Sequence, residues 1–194
     1  MNATPGDEDE LAQRFEQVTR FDTTGSGPPV EDWHPPLTGD LELFIARDGR
    51  WFYQGREMTR HELKKLFAGI LRFEEDGAYY LVTPVEKYCI QVEDVPFIAM
   101  QLEVEGEGAS QVLWFRTNLD DVFPLGADHP LVMRYRGVGA EQAPYVFVRR
   151  NLEGRVERNA FYHLVECAET QTINGKLHYG VSSQGHFFLL GPAD

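Results

Sequence analysis

The 194-residue chain carries a faint copy of itself, and that copy constrains the fold more than any single motif does. Thr59–Val92 lies over Glu157–Leu190 without a gap, at a constant shift of 98 positions, 59 onto 157. Arg60 meets Arg158, Leu66 meets Leu164 and Gly77 meets Gly175. Apolar residues meet apolar residues at Leu63/Phe161, Phe67/Val165, Ile70/Ala168, Tyr79/Leu177, Ile90/Phe188 and Val92/Leu190. Three identities in such a window stand near chance. The weight lies in the order of periods: helical, then Gly, then strand, turn and strand. An internal repeat fixes architecture before it says anything of chemistry.

Hydrophobic residues make up 42% of the chain and charged residues 25%, ordinary globular usage, so a packed core is within reach. Each half of the repeat is short and would be marginal alone. The halves are therefore expected to pack together, and the groove between them is the natural place for a site.

Along the chain, residues 1–7 are polar and expected to be disordered. Asp9 to Arg20 reads as a short amphipathic helix with Leu11, Phe15 and Val18 on one face. Phe21 to Gly39 reads as a linker. Residues 1–40 thus form an N-terminal helix and arm, 41–94 the first repeat domain, and 95–194 a C-terminal domain with the second repeat. Asp94-Val95-Pro96 marks the boundary.

The first repeat is expected to open with strands at Leu41–Ala46 and Arg50–Tyr53 around the Asp48-Gly49 turn. The best helix follows, with Thr59 as its cap, Glu62 at the capping-box spacing, and a stripe of Leu63, Leu66, Phe67, Ile70 and Leu71. Tyr79–Thr83 and Tyr88–Glu93 then read as strands. A hairpin, Phe97–Val104 with Val112–Thr117, precedes the second repeat, and Asn118–Pro130 reads as a loop. The second repeat runs Leu131–Tyr135, Tyr145–Arg149, a helix with Phe161, Leu164, Val165 and Ala168 as its stripe, then Lys176–Val181 and His186–Leu190. Each half reads ββαββ. The fold class is α+β with duplicated motifs and mainly antiparallel sheets. No βαβ alternation points to a dinucleotide-binding sheet.

The formal net charge of −13 opposes binding to long nucleic acid or to an anionic membrane. The charge is uneven. Residues 1–46 hold ten acids and two bases, whereas residues 131–158 hold six Arg (134, 136, 149, 150, 155, 158) against three Glu. The two cysteines, the polar amino-terminal stretch and the lack of an apolar run of about 18 residues fit a cytoplasmic protein.

No catalytic constellation stands out. The six His show no ligand spacing, there is no Cys-x-x-Cys, and no metal or cofactor is expected. Gly180–Gly185 lacks the spacing and the following helix of a nucleophile elbow. Gly137-Val138-Gly139 has no third glycine in place. The candidates are polar clusters instead. Thr83, Glu86 and Lys87 sit in a turn. Arg116, Thr117 and Asn118 follow a buried strand, with Asp120, Asp121 and His129 beyond. Arg60 and Arg158 both open a helix, where a cation opposes the helix dipole by about 0.3–1 kcal/mol. Each is expected to answer either an internal carboxylate or an anionic ligand.

Several strings fall into a familiar order: Trp51-Phe52-Tyr53 with Gly55-Arg56, Leu63–Leu71, Leu81-Val82-Thr83-Pro84-Val85-Glu86-Lys87, Val92-Glu93-Asp94-Val95-Pro96-Phe97, Phe115-Arg116-Thr117-Asn118 and His129-Pro130-Leu131. Over roughly residues 30–190 the chain resembles the bacterial family catalogued as domain of unknown function 1285. The resemblance implies an α+β fold with duplicated motifs and a C-terminal part superficially like a pleckstrin-homology domain. It also implies a ligand site between the domains, for a nucleotide-like molecule, and a part in signal transduction. It supplies no catalytic residues.

Together these readings favour a non-enzymatic ligand-binding or signalling module. A small anion would be held by Arg60, Arg158, Thr83, Glu86, Lys87, Arg116, Thr117, Asn118 and His129. Two alternatives are a hydrolase using Glu86, Asp121 or His129, and a protein-interaction adaptor presenting Trp33, Trp51 or Tyr53 to a protein partner.

Overall fold

The structure, a computed structural model, describes residues 5–15, 27–135 and 142–193. Val18, Arg136 and the Gly137-Val138-Gly139 string lie outside them. The chain divides into two compact units, Met1–Pro96 and Phe97–Asp194.

Unit 1 begins with helix α1, Pro5–Arg14, which starts inside the stretch expected to be disordered. Leu11 and Phe15 are buried, and the Phe15 ring meets Phe67 edge-on at 5.2 Å and Tyr88 at 6.0 Å. A helix of ten residues is marginal in water. Burial of these two side chains, about 1.5–3 kcal/mol each, is what holds it. A short 3-10 turn at Val30–Asp32 then leads to the buried Trp33.

Seven elements follow: β1 (Leu37–Ile45), β2 (Trp51–Tyr53), β3 (Arg56–Glu57), α2 (His61–Gly69), β4 (Leu71–Phe73), β5 (Tyr79–Val82) and β6 (Lys87–Val92). Their sheet has the order β3-β2-β1-β6-β5-β4. All neighbours are antiparallel except β1 and β6, which pair parallel from Leu37↔Lys87 to Ile45↔Val92. Leu43, Ile45, Trp51, Leu71, Leu81 and Ile90 of the sheet and Leu63 and Phe67 of α2 are buried in the core.

Ile70 and Leu71 fall outside the helix, contrary to the expected five-residue stripe. Ile70 is the C-cap and Leu71 opens β4. A three-residue strand that begins one residue after a helix shows no period of its own, and the helical pattern absorbs it.

Unit 2 contains β7 (Phe97–Glu105), β8 (Val112–Thr117), β9 (Val122–Pro124), β10 (Leu131–Tyr135), β11 (Gln142–Arg149), β12 (Leu152–Val156), α3 (Arg158–Glu166), β13 (Glu169–Ile173), β14 (Lys176–Ser183) and β15 (His186–Pro192). A six-stranded sheet has the order β10-β11-β12-β7-β8-β9, and a three-stranded sheet the order β13-β14-β15. Again one pair is parallel, β12 with β7. The expected hairpin is a three-stranded meander, because Val122–Pro124 adds a strand in the presumed loop.

Each half of the repeat is therefore βββαβββ rather than ββαββ. The additional strands escape a pattern reading for local reasons. β3 has two residues, β12 contains a glycine and two charges, and β13 is a polar strand exposed along most of its length. The two halves share a further feature. In unit 1 the last strand, β6, pairs with the first, β1. In unit 2 the last strand, β15, lies against the first, β10, without joining its ladder. The fold is α+β, duplicated and mainly antiparallel.

The repeat also has a local correction. Helix α2 spans 61–69 and α3 spans 158–166, so the helices match at a shift of 97. Gly77 and Gly175, both in the left-handed turn conformation at φ +80 and +76, match at 98. One residue separates α2 from β4 and two separate α3 from β13, which absorbs the difference. The buried pair Ala160 and Leu164 thus takes the places of Leu63 and Phe67, while Val165, expected in the apolar stripe, is exposed.

At Gly180 a methyl group would lie 2.4 Å from the Phe187 ring and 2.5 Å from the Phe188 carbonyl oxygen. Since that oxygen belongs to the backbone, Gly180→Ala is expected to destabilise unit 2 by about 1–3 kcal/mol. Gly191→Ala, which meets open space, should stay within about 0.5 kcal/mol of wild type. Urea unfolding followed by circular dichroism compares the two.

Candidate functional site

Arg60 is the N-cap of α2, with extended backbone and no capping hydrogen bond from its side chain. The expected Thr59–Glu62 capping box is replaced by a long-range cap. Buried Glu8 of α1 accepts from the Thr59 N–H at 2.8 Å and the Arg60 N–H at 3.2 Å, and from the Thr59 hydroxyl at 3.3 Å. A carboxylate at this end of a helix satisfies free donors and suits the dipole. The Arg60 guanidinium pairs with Asp9 at 2.6 Å, with both side chains about half exposed. Such an exposed pair contributes at most about 1 kcal/mol.

Arg158 is not the structural counterpart of Arg60. With the helices matched at 97, the N-cap Arg60 corresponds to the N-cap Glu157, whose carboxylate accepts from the Asn159 N–H at 2.8 Å. Arg158 is the first residue of α3, exposed and with no ion pair among the described residues. Arg60 and Arg158 match at a shift of 98, whereas the helices they open match at 97. Arg60 belongs to unit 1 and Arg158 to unit 2.

In the turn cluster of unit 1 the side chains of Thr83 and Lys87 are committed internally, while Glu86 takes part through its backbone. Buried Thr83 accepts from the Glu86 N–H at 3.0 Å and the Val85 N–H at 3.3 Å through its hydroxyl, and donates to the Glu86 carbonyl at 3.2 Å. That is a self-closed Ser/Thr turn. The Lys87 ammonium donates to both oxygens of Glu74, at 3.0 and 3.2 Å, and lies 4.6 Å over the Tyr80 ring. Glu74 also takes the Arg72 guanidinium, which donates in addition to the Val30 and Trp33 carbonyls at 2.9 and 2.8 Å. This knot ties the segment before β1 to the sheet. Burial works to raise the Glu74 carboxyl, but hydrogen bonds from Arg72 and Lys87 outweigh it and hold it below its ordinary value. Next to it, the Tyr80 hydroxyl donates to Asp76 at 2.6 Å, and this bond pushes the Tyr80 phenol up to about 12.

In unit 2 the Thr117–Asp121 loop is tightly closed. The Thr117 hydroxyl accepts from the Asp121 N–H at 3.1 Å and the Leu119 N–H at 3.2 Å. The Asn118 side-chain oxygen accepts from the Ile98 N–H at 2.9 Å, and the Asn118 backbone N–H donates to the Ile98 carbonyl at 2.8 Å. Asp121 takes the Arg149 guanidinium at 2.5 Å, and Arg149 also lies 5.1 Å over the Phe97 ring. Burial pulls Arg149 below its ordinary value, with Asp121 opposing. His129 is stacked on Phe123 at 4.7 Å, with Nδ1 3.0 Å from the Phe147 carbonyl oxygen. Arg134 binds the buried Glu153 through two guanidinium nitrogens. Much of the positive surplus of residues 131–158 is thus neutralised inside the unit.

Arg116 differs from these. It is exposed on β8 and, like Arg158, has no partner among the described residues. The register draws the two towards one corner. Val156 lies opposite Ala99 and Ala99 opposite Thr117, while the Glu157 N–H donates to the Ala99 carbonyl at 2.9 Å. Thr117 therefore stands two strand spacings, roughly 10 Å, from the strand end that leads into α3. Glu8, Asp9, Glu74 and Arg149 were missed by sequence reasoning. Glu8 and Asp9 answer partners 51 or 52 residues away, Arg149 answers Asp121 28 residues away, and Glu74 joins its near neighbour Arg72 to Lys87 13 residues on, so no spacing rule gathers these groups. Trp33 and Trp51 are interior, so neither forms the exposed patch considered for an adaptor. Among the described residues no group of three His, Cys, Asp or Glu is placed to hold a metal, and no helix is long and apolar enough to cross a membrane.

Fold and cluster together define a duplicated, two-unit α+β protein in which several partly buried charged side chains serve as internal ties. Residues 28–95 match the family model described as the domain of unknown function DUF1285, N-terminal domain, and residues 96–190 match that of the protein of unknown function DUF1285, C-terminal domain. The chain belongs to the DUF1285 family. It is similar to a DUF1285 family protein from Silicibacter pomeroyi DSS-3 of known crystal structure, at 41% identity over 91% of this chain and 93% of that one, with a TM-score of 0.80. A DUF1285 family protein from Shewanella baltica OS155 is 28% identical over 65% of this chain and 91% of that one, with a TM-score of 0.52. The chain matches no curated protein.

Two titrations check the unit 1 knot. Because the folded Glu74 value is depressed, its stabilising contribution is present above the ordinary value of 4.5 and lost as pH falls through the folded value. The gap in unfolding free energy between wild type and Glu74→Gln should hold constant between about pH 6 and 8 and shrink below about pH 4.5. Ultraviolet titration of phenolate should find one tyrosine ionising near 12, and Asp76→Asn should return it towards 10.0.

Proposed function

We propose that the protein is a binding or signalling module for a small anionic, nucleotide-like ligand, and that Arg116 and Arg158 of unit 2 are its contact cations. The observation that carries this reading is their availability. Arg60, Lys87, Arg134 and Arg149 are each answered by an internal carboxylate, while Arg116 and Arg158 are exposed with none among the described residues. Arg158 also opposes the dipole of α3, by about 0.3–1 kcal/mol, and an incoming anion would reverse that sign. Thr117 and Asn118 stiffen the corner through hydrogen bonds to the backbone, so little ordering would accompany binding. A hydrolytic role has less support, because Asp121 is committed to Arg149 and His129 to the Phe147 carbonyl and the Phe123 ring.

A thermal-shift screen over nucleotides and phosphorylated metabolites tests the reading. A ligand at one hundred times its dissociation constant adds about 2.7 kcal/mol, a shift of several degrees. The Arg116→Ala/Arg158→Ala variant should lose the shift while unfolding at the wild-type temperature without ligand. No rise anywhere in the panel, or a rise unchanged in the variant, rejects the reading.

A further inference from the structure

The contact between α1 and the rest of unit 1 has the composition of a peptide-recognition interface. One apolar anchor, Phe15, meets Phe67 of α2 and Tyr88 of β6. Leu11 is buried beside it in sequence, one turn earlier. One turn before Leu11, Glu8 places a buried carboxylate on the N–H groups of Thr59 and Arg60, just ahead of α2, and the adjacent Asp9 pairs with the Arg60 guanidinium. At the far end Arg14 donates to the Tyr88 hydroxyl at 2.5 Å. Positions 8, 11 and 15 are one helical face, read by a receptor that is basic at one end and aromatic at the other. This is the helix-in-groove mode of recognition.

The sheet of unit 1 takes no strand from this helix, since it closes through its own parallel pair, and the start of α2 lies 46 residues beyond Phe15 in the chain. The N-terminal family match begins at residue 28, so α1 lies outside the matched body. A helix this short does not persist unless docked, so its docking competes directly with the ordering of its ten residues.

We propose that α1 is a releasable strap, and that the face it covers on α2 and β6 is a docking site for an acidic amphipathic helix of a partner protein. Such a helix carries a carboxylate pair one turn ahead of an apolar pair spaced four apart, and α1 is its tethered competitor. Charge complementarity sets the direction of docking, since only the amino-terminal end of the helix can bring carboxylates to Arg60 and the start of α2. This inference is independent of the anion reading, which concerns unit 2.

The probe is a fluorescein-labelled peptide of residues 1–20, added to the full-length protein and read by anisotropy. The tether raises the local concentration of α1 and keeps the site filled. Wild type should therefore bind the peptide weakly, and Leu11→Ala/Phe15→Ala at least tenfold more tightly. Adding Phe67→Ala should abolish the gain. Near-UV circular dichroism reports whether the variants keep a packed core. If the apolar variant does not fold, Glu8→Ala/Asp9→Ala, which leaves the apolar contacts in place, serves instead and should bind the peptide severalfold more tightly than wild type. Equal binding to wild type and folded variant, or no binding to either, overturns the proposal. Concentration-dependent dimers of wild type that the peptide dissociates also overturn it, since the occupant is then a second copy of the chain.

Discussion

Unit 1 depends on one parallel ladder. β1 enters at Leu37 opposite Lys87 and leaves at Ile45 opposite Val92, and every other pairing in its sheet is an antiparallel extension of that pair. Parallel neighbours cannot be joined by a tight turn, so the chain must cross before it returns. The crossing segment holds α2, whose Leu63 and Phe67 are buried. In unit 2 the ladder between β12 and β7 has the same place at the middle of a six-stranded sheet. There Gly154 faces Phe97, and a methyl group on it would stand 3.2 Å from the Phe97 Cβ and 3.1 Å from Val148. The close approach of the two strands at this point accounts for a glycine inside a strand.

The duplication is easier to see in elements than in residues. Both halves are βββαβββ, and both helices are nine residues long. Their faces are turned by one residue because one more residue links α3 to β13 than links α2 to β4. One residue is about 100° of helix. That rotation carries Val165 from core to surface and separates the roles of Arg60 and Arg158. A gapless alignment holds in the strands, where the Gly77 and Gly175 turns anchor it, and fails by one position in the helix.

The charged residues divide in the same way. The knot of Arg72, Glu74 and Lys87, the pair Arg149–Asp121 and the pair Arg134–Glu153 are partly buried, so leaving one member unpaired costs less than the roughly 3–5 kcal/mol of a fully buried pair but more than at an exposed one. Such groups are recruited into structure. Among the described residues of unit 2, Arg116 and Arg158 are exposed and show no ion pair, whereas in unit 1 the start of α2 and the Tyr88 ring are covered by the acidic helix α1.

Fold class, duplication, the two main helices and the hairpin strands were legible in the sequence, because period, Gly turns and apolar alternation are local properties of the chain. The short or polar strands β3, β4, β9, β12 and β13 were not, since each is formed by its neighbours' hydrogen bonds rather than by its own pattern. The cap on α2 was invisible for a different reason. Thr59 looks sufficient locally, yet Glu8 arrives from 51 residues away and accepts from the Thr59 and Arg60 N–H groups. The residue types at a candidate site are written in the chain. Whether each is free or already answered is settled by long-range packing, since burial makes an unpaired charge too costly to leave.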